Sequence, residues 1–325
     1  MKIGILGTGA YGLALAIALN KNKDNEIIMW TKLEHEKELI ETTHEYHKVL
    51  PGIHIPEEIK ITTNLEELAN SSELIIYAIP ATFVDSVSIE LKEYFKPNQH
   101  ICMATKGIEQ GSCLFVDYVV KRSIDTDNIS VISGPSFAID TVADMPIGLS
   151  LAGKNKESNN IIKKAFSNTN IKLRETIDIY GTEICGAIKN VIAIACGILD
   201  GLNANESTKA MFITESLHDI KNLISKLGGD GNTILSYAGF GDLLLTCTSP
   251  KSRNFSFGQI LATNDKQKIE EYKNNNTIEG LYTLKSIYQL IEKKQITIPV
   301  IELIYNIVFF NQDSSKLLTF LLEKE

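Results

Sequence analysis

The chain has 325 residues, 44% of them hydrophobic and 22% charged, proportions ordinary for a globular protein and too long a chain for one nucleotide-binding unit, so two domains are expected. A formal net charge of −8 argues against general nucleic-acid binding, which needs a basic face. Any anionic small molecule must then be held by a local group of Lys and Arg. Five widely spaced cysteines (Cys102, Cys113, Cys185, Cys196 and Cys247) include no CxxC pair, so no metal site is expected and the thiols read as reduced, in a cytoplasmic protein. No run approaches the roughly 18 consecutive apolar residues of a membrane span, and no secretory signal is expected because a glycine loop begins at once.

Residues 1–12 predict a short buried strand through Ile3, Ile5 and Leu6, which runs into Gly7-Thr8-Gly9-Ala10-Tyr11-Gly12 and then an apolar helix over 13–19. Strand, GxGxxG, helix is the order a dinucleotide pyrophosphate requires. Gly7 permits the tight turn, Gly9 lets backbone approach the phosphates, Gly12 lets helix pack on strand, and N–H groups at the helix start face the anion. Further strand candidates at 26–30, 74–79, 101–105, 130–133, 148–152 and 171–174 alternate with helical segments, which predicts an α/β, Rossmann-like, mostly parallel sheet.

After the second of these strands no acid appears before Glu34, although NAD-selective sites usually place one there to bind the ribose 2′-OH. Lys32 is therefore expected to partner a ribose 2′-phosphate, with NADPH used at least comparably to NADH. Ala104-Thr105-Lys106-Gly107 and Ser133-Gly134-Pro135-Ser136-Phe137-Ala138 end two later strands, at the edge where open α/β sheets bind ligands; routine loop chemistry is the alternative.

Around Tyr180 the pattern turns helical, with turn signals at 228–231 and 274–276. The expected division is a dinucleotide-binding domain over 1–180 and an all-helical, substrate-binding and catalytic domain over 181–325. Within 184–199, ICGAIKNVIAIACGIL, Lys189 and Asn190 are the strongly polar residues. A helix apolar on nearly all faces is a core helix, where a lysine is costly unless paired or functional. Enzymes use lysines in such surroundings for proton exchange, while a lysine snorkelling to the surface is the plainer reading. Loss of this amine is expected to cost the fold little. Next come Gly239-Phe240-Gly241-Asp242 and, beyond Ser249-Pro250-Lys251, Ser252-Arg253-Asn254. An Arg presenting its planar fork suits a phosphate. Asp242 as a helix cap and Arg253 as a solvated charge are the alternatives.

In order, GTGAYG (7–12), ATKG (104–107), SGPSFA (133–138), AIKNVIAIACGILDG (187–201), GFGDLLLTCTSPKSRNFSFG (239–258) and IEG (278–280) resemble the NAD(P)-dependent glycerol-3-phosphate dehydrogenases of bacterial type. The resemblance implies an N-terminal Rossmann-like domain, a helical C-terminal domain, and reduction of dihydroxyacetone phosphate to sn-glycerol 3-phosphate with NAD(P)H, in support of glycerophospholipid synthesis. It implies that Lys189 donates and accepts the proton, that Asp242 is its carboxylate partner, and that Lys106 is a second catalytic cation. Substrate contacts carry over to Lys106, Gly134, Ser136, Lys189, Asp242, Ser252, Arg253 and Asn254. Cofactor contacts carry over to Ala10, Tyr11, Lys106, Ala138, Arg253 and Glu279, beside the glycines of the loop.

The implied partner is a phosphorylated small molecule; the oligomeric state stays open, with a homodimer among the options. The chain departs from the family at 202–216, where Ile213-Thr214-Glu215-Ser216 stands in place of Ile-Thr-Arg-Gly. Two rivals remain: a two-domain dehydrogenase acting on an unphosphorylated hydroxy acid, and a non-catalytic NAD(H) sensor.

Overall fold

The structure, a computed structural model, describes residues 1–324 and consists of two compact units. Met1–Lys106 and Val116–Ile179 form the first; Gly107–Phe115 and the chain from Tyr180 onward form the second.

The first unit is built on one sheet of eight strands: β1 (Lys2–Leu6), β2 (Glu26–Trp30), β3 (Lys60–Thr62), β4 (Leu74–Tyr77), β5 (His100–Met103), β6 (Ile129–Ser133), β7 (Ile147–Ala152) and β8 (Ile171–Thr176). Their spatial order is β3-β2-β1-β4-β5-β6-β7-β8, and every pairing is parallel except β6 with β7. Strands β4, β5 and β6 are buried at every position, which is why they read as unbroken apolar runs rather than alternating ones. The order reverses between β1 and β4, and the crevice at such a reversal is where open sheets take ligands. Helix α1 (Ala10–Asn20) is buried from Gly12 to Leu19 and α2 (Glu34–Thr43) lies mostly on the surface. Each predicted strand position carries a strand. The added one, β3, has three residues and too short a pattern to read.

The second unit is helical, and its core forms around one 23-residue helix, Ile179–Gly201. That helix is long and apolar enough to cross a bilayer, contrary to the expectation from counting consecutive apolar residues, yet 89% of its most apolar 18-residue window is buried inside the protein. Its apolar faces are covered by neighbours that include Phe212, Phe257, Leu284 and Ile304. The segment Gly107–Phe115 belongs with this core. Its Ile108 and Phe115 are bridged to each other, both are buried, and the Phe115 ring packs edge-on to Tyr180 at 5.0 Å. The chain thus enters the helical unit once before Tyr180, unlike the single expected boundary at 180.

Two helices of this unit touch backbone to backbone. A Cβ placed on Gly197 would lie 1.9 Å from Phe255 O, and one on Gly258 would lie 2.0 Å from Ile194 O, so the helix Arg253–Ala262 can only lie this close to the long helix while both positions are glycine. Because neither clash is with a flexible side-chain end, Gly197→Ala should destabilise the protein by about 1–3 kcal/mol or more through overpacking. Thermal unfolding checks this, and an unchanged midpoint would show that the helices can separate freely.

Candidate active site

The glycine loop of the first unit has the shape of a phosphate cradle. Gly7 adopts φ +108°, donates its N–H to Trp30 O at 2.8 Å, and a Cβ there would sit 2.8 Å from Ala78 O. Gly12 is equally constrained, since its Cβ would lie 2.2 Å from Gly7 O. Gly9 is different: its φ of −65° suits any residue and a Cβ would meet nothing within 4 Å. The protein's own packing does not demand glycine there, but close approach of a ligand would. Gly9 is also the N-cap of α1 and supplies no side-chain cap, and the first bond within the helix runs from Leu13 N–H to Gly9 O. Helix starts of this kind bind pyrophosphate through backbone N–H groups and the dipole, so Gly9, Ala10, Tyr11 and Gly12 fit a dinucleotide.

Around this loop stand the other candidates from the first unit. Lys106 follows β5; its Nζ donates to Gly134 O at 3.3 Å and lies 6.0 Å from the centroid of the Tyr11 ring. Ser136 donates to Tyr11 OH at 3.1 Å and approaches Gly134 O at 3.0 Å. Gly134 is forced by the sheet, because a Cβ would meet Gly148 O at 2.7 Å across the β6–β7 pair. Ala138 opens a short helix, Ala138–Val142, whose first and last residues pack on the core shared with α1. Lys32 is exposed just beyond β2.

In the second unit Lys189 neither snorkels nor stands alone. Its Nζ donates to Asp242 Oδ1 at 2.6 Å, with the two side chains 11% and 1% exposed. Asp242 opens the helix Asp242–Cys247, but its carboxylate turns inward to the lysine, and Thr246 Oγ1, which donates to Asp242 O at 2.7 Å, lies 3.5 Å from Asp242 Oδ1. This arrangement corrects the expectation that losing the amine costs little. Removing Lys189 alone would strand a buried carboxylate, a change that typically costs about 3–5 kcal/mol. Cys247 lies one residue beyond Thr246, and burial, reinforced by Cys196, pushes its thiol well up.

The Ser-Arg-Asn triplet divides its work. Ser252 is the N-cap of the helix Arg253–Ala262, accepting from Phe255 N–H at 3.3 Å, and is 4% exposed. Its side chain is thus engaged in holding the helix start. Arg253 is exposed in the first turn of that helix, the end where the helix dipole disfavours a cation. A bound anion reverses that penalty, because the guanidinium fork and the helix N–H groups then point at the same negative charge. Asn254 is buried rather than free to donate outward: its Nδ2 reaches Asn190 Oδ1 at 3.0 Å and its Oδ1 accepts from Gly280 N–H at 2.9 Å. Asn190 Nδ2 in turn reaches Glu279 Oε2 at 3.3 Å. The structure therefore gathers Asn190, Asn254 and Glu279 into one chain of hydrogen bonds beside Lys189. Asn190 and Thr246 are the residues that reading the sequence left out of the site; Asn190 carried a signal, as the second polar residue of the apolar run.

Comparison with known proteins agrees with both halves. Residues 2–159 match the family model described as NAD-dependent glycerol-3-phosphate dehydrogenase N-terminus, and residues 178–319 match the one described as its C-terminus. The chain is similar to the glycerol-3-phosphate dehydrogenase [NAD(P)+] of Fusobacterium nucleatum, at 35% identity over 97% of this chain and 95% of the other. It is 37% identical to the protein of that name from a Thermoanaerobacter species, over 95% of this chain and 93% of the other. The crystal structure of glycerol-3-phosphate dehydrogenase from Coxiella burnetii superposes with a TM-score of 0.92 at 30% identity and covers 99% of both chains. With both family models matched and such relatives aligned almost end to end, this chain belongs to the NAD-dependent glycerol-3-phosphate dehydrogenase family.

Proposed function

We propose that this protein is an NAD(P)H-dependent oxidoreductase that reduces dihydroxyacetone phosphate to sn-glycerol 3-phosphate, reversibly, as a cytoplasmic supplier of glycerophospholipid synthesis. The observation that carries the reading is the Lys189–Asp242 pair, a proton source held in a mostly apolar helix core. Five buried cysteines, none in a disulfide, favour a reducing compartment. The exposed Leu235, Phe240 and Leu244, on consecutive elements of the helical unit, offer apolar surface for a second copy of the chain.

When bound, the nicotinamide cofactor supplies the reducing equivalents. The chain's own residues then divide the remaining work. Gly9 and the start of α1 hold the pyrophosphate. Lys189 stabilises the negative charge that grows on the substrate oxygen and delivers the proton to it, while Asp242 keeps the ammonium oriented. Arg253 at its helix start binds the phosphate, with Ser252 fixing that start and Asn254 bracing it against Asn190. Lys106, held over Tyr11 and against Gly134, is the second cation for substrate and cofactor, and Glu279 sets Asn190. The phosphate requirement separates this reading from a hydroxy-acid dehydrogenase.

Turnover is read from loss of NADH absorbance on adding dihydroxyacetone phosphate. Arg253→Ala should raise KM strongly, and unphosphorylated dihydroxyacetone should be a very poor substrate. Equal reduction of the two ketones would hand the assignment to the hydroxy-acid alternative, and no turnover at all would favour a sensor. Gly9→Val should leave thermal stability near that of the parent and abolish dinucleotide binding, since only the ligand needs that space. Retained binding would show that the cradle lies elsewhere.

For the acid, Lys189→Met is best combined with Asp242→Asn, which removes the stranded charge. The double variant should fold and bind NADH through the other unit, yet lose about 10²- to 10⁴-fold in kcat. A folded double variant within a few-fold of the parent would move the proton-donor role to Lys106.

A further inference from the structure

Glu36 lies in the first turn of α2 and folds back toward the glycine loop. Its Oε2 accepts hydrogen bonds from Thr8 Oγ1 at 2.7 Å and Thr31 Oγ1 at 2.6 Å, and its Oε1 accepts one from Tyr46 OH at 2.7 Å. Thr8 is the second residue of the glycine loop, Thr31 directly follows β2, and Tyr46 lies beyond α2; all three are buried. Three short bonds from three separate segments converge on one carboxylate.

Converging hydroxyl donors call for an acceptor, and an ionised carboxylate is acceptor-only at both oxygens. Burial pushes Glu36 up, but the bonds from Thr31, Thr8 and Tyr46 outweigh it and hold the carboxyl below its ordinary range. Burial and the bond to Glu36 push Tyr46 up to about 12, so the phenol stays a donor. The result is a fixed negative charge joined directly to the loop that would hold the pyrophosphate. In sheets of this type the adenosine ribose falls at the end of β2, where an acid favours a free 2′-OH. A 2′-phosphate at the same corner would bring further negative charge against it. Lys32 has the opposite sign, but it is exposed, on a flexible stem and screened by salt.

We infer that Glu36 is the residue that sets coenzyme choice in this chain, favouring NADH by opposing the 2′-phosphate of NADPH. This rests on the reading of the protein as an NAD(P)H-dependent dehydrogenase. It reverses the expectation drawn from Lys32, because the residues next to β2 hold no acid while the first turn of α2 returns one to that place.

The test measures dissociation constants of NADH and NADPH by their fluorescence on the full chain, for the parent, Glu36→Gln and Tyr46→Phe. The parent should bind NADH about tenfold more tightly than NADPH, or better still, and Glu36→Gln should narrow that ratio by about tenfold, chiefly by improving NADPH. Tyr46→Phe removes a hydroxyl but keeps the charge, so the ratio should hold. A parent that binds NADPH as tightly as NADH overturns the inference without any variant. So does a Glu36→Gln protein whose two affinities fall together, or a Tyr46→Phe protein whose ratio collapses equally, since either makes Glu36 a brace for the loop. If the parent binds neither dinucleotide, the dehydrogenase reading falls and this inference with it; if both bind and the ratio ignores Glu36, only the inference falls.

Discussion

The helical unit is organised around one ion pair that contributes little to its stability. Lys189 and Asp242 meet at 2.6 Å in surroundings where both charges have lost most of their water. In such a place Coulomb attraction roughly offsets desolvation, and a pair of well-packed apolar residues would serve the fold as well or better. Everything nearby is arranged to make the pair tolerable. Isoleucines and alanines fill the other faces of the long helix, Thr246 stands beside the carboxylate, and the glycine contact at Gly197 and Gly258 brings the Arg253 helix alongside. The proposed function gives this buried charge a chemical use, since transfer of a proton to a nascent oxyanion is chemistry a lysine ammonium performs.

Under the proposed function both units would use the same device for anions, a helix start, but they equip it differently. Gly9 leaves α1 without a side-chain cap, which keeps the space above the backbone open for a group as wide as a pyrophosphate. Ser252 caps its helix, so donors there are partly spoken for, and Arg253 adds the missing charge. A small terminal phosphate bound at one helix start gains most of its energy from a bidentate guanidinium. The difference in side chains follows from the difference in what each anion offers.

How much of this was legible depended on whether the information was local. Apolar runs bounded by turn residues located seven of the eight strands, and the apolar stretch with Lys189 located the core helix, because period and composition are local properties. The antiparallel step from β6 to β7 was not readable, since a buried strand looks the same in either direction. Nor was the excursion of Gly107–Phe115 into the helical core, which depends on Ile108 and Phe115 finding partners far along the sequence. The site divided in the same way. Lys189 stood out as a misplaced charge, whereas the Asn190–Asn254–Glu279 chain joins three distant segments through neutral side chains. Glu36 was passed over because the reading followed the strand outward, while the first helical turn carries the carboxylate back.

The stretch at 202–216, where this chain parts from its family, shows what such divergence does and does not touch. Asn205 caps the helix Glu206–Lys226, and Lys209 bonds both Asp200, at 2.9 Å, and Glu206, at 2.7 Å. At position 215, where the resemblance led to an expected arginine, the glutamate pairs with Lys324 at 3.2 Å, and Lys324 also meets Asp219 at 2.9 Å. The changed sign at 215 is thus met by a cation from the far end of the same chain, and the exchange stays within the helical unit. Lys189 and Asp242 are paired with each other. Substitutions that find a local partner can accumulate without disturbing a buried pair whose geometry is set by helix contacts, in a chain about a third identical to its relatives.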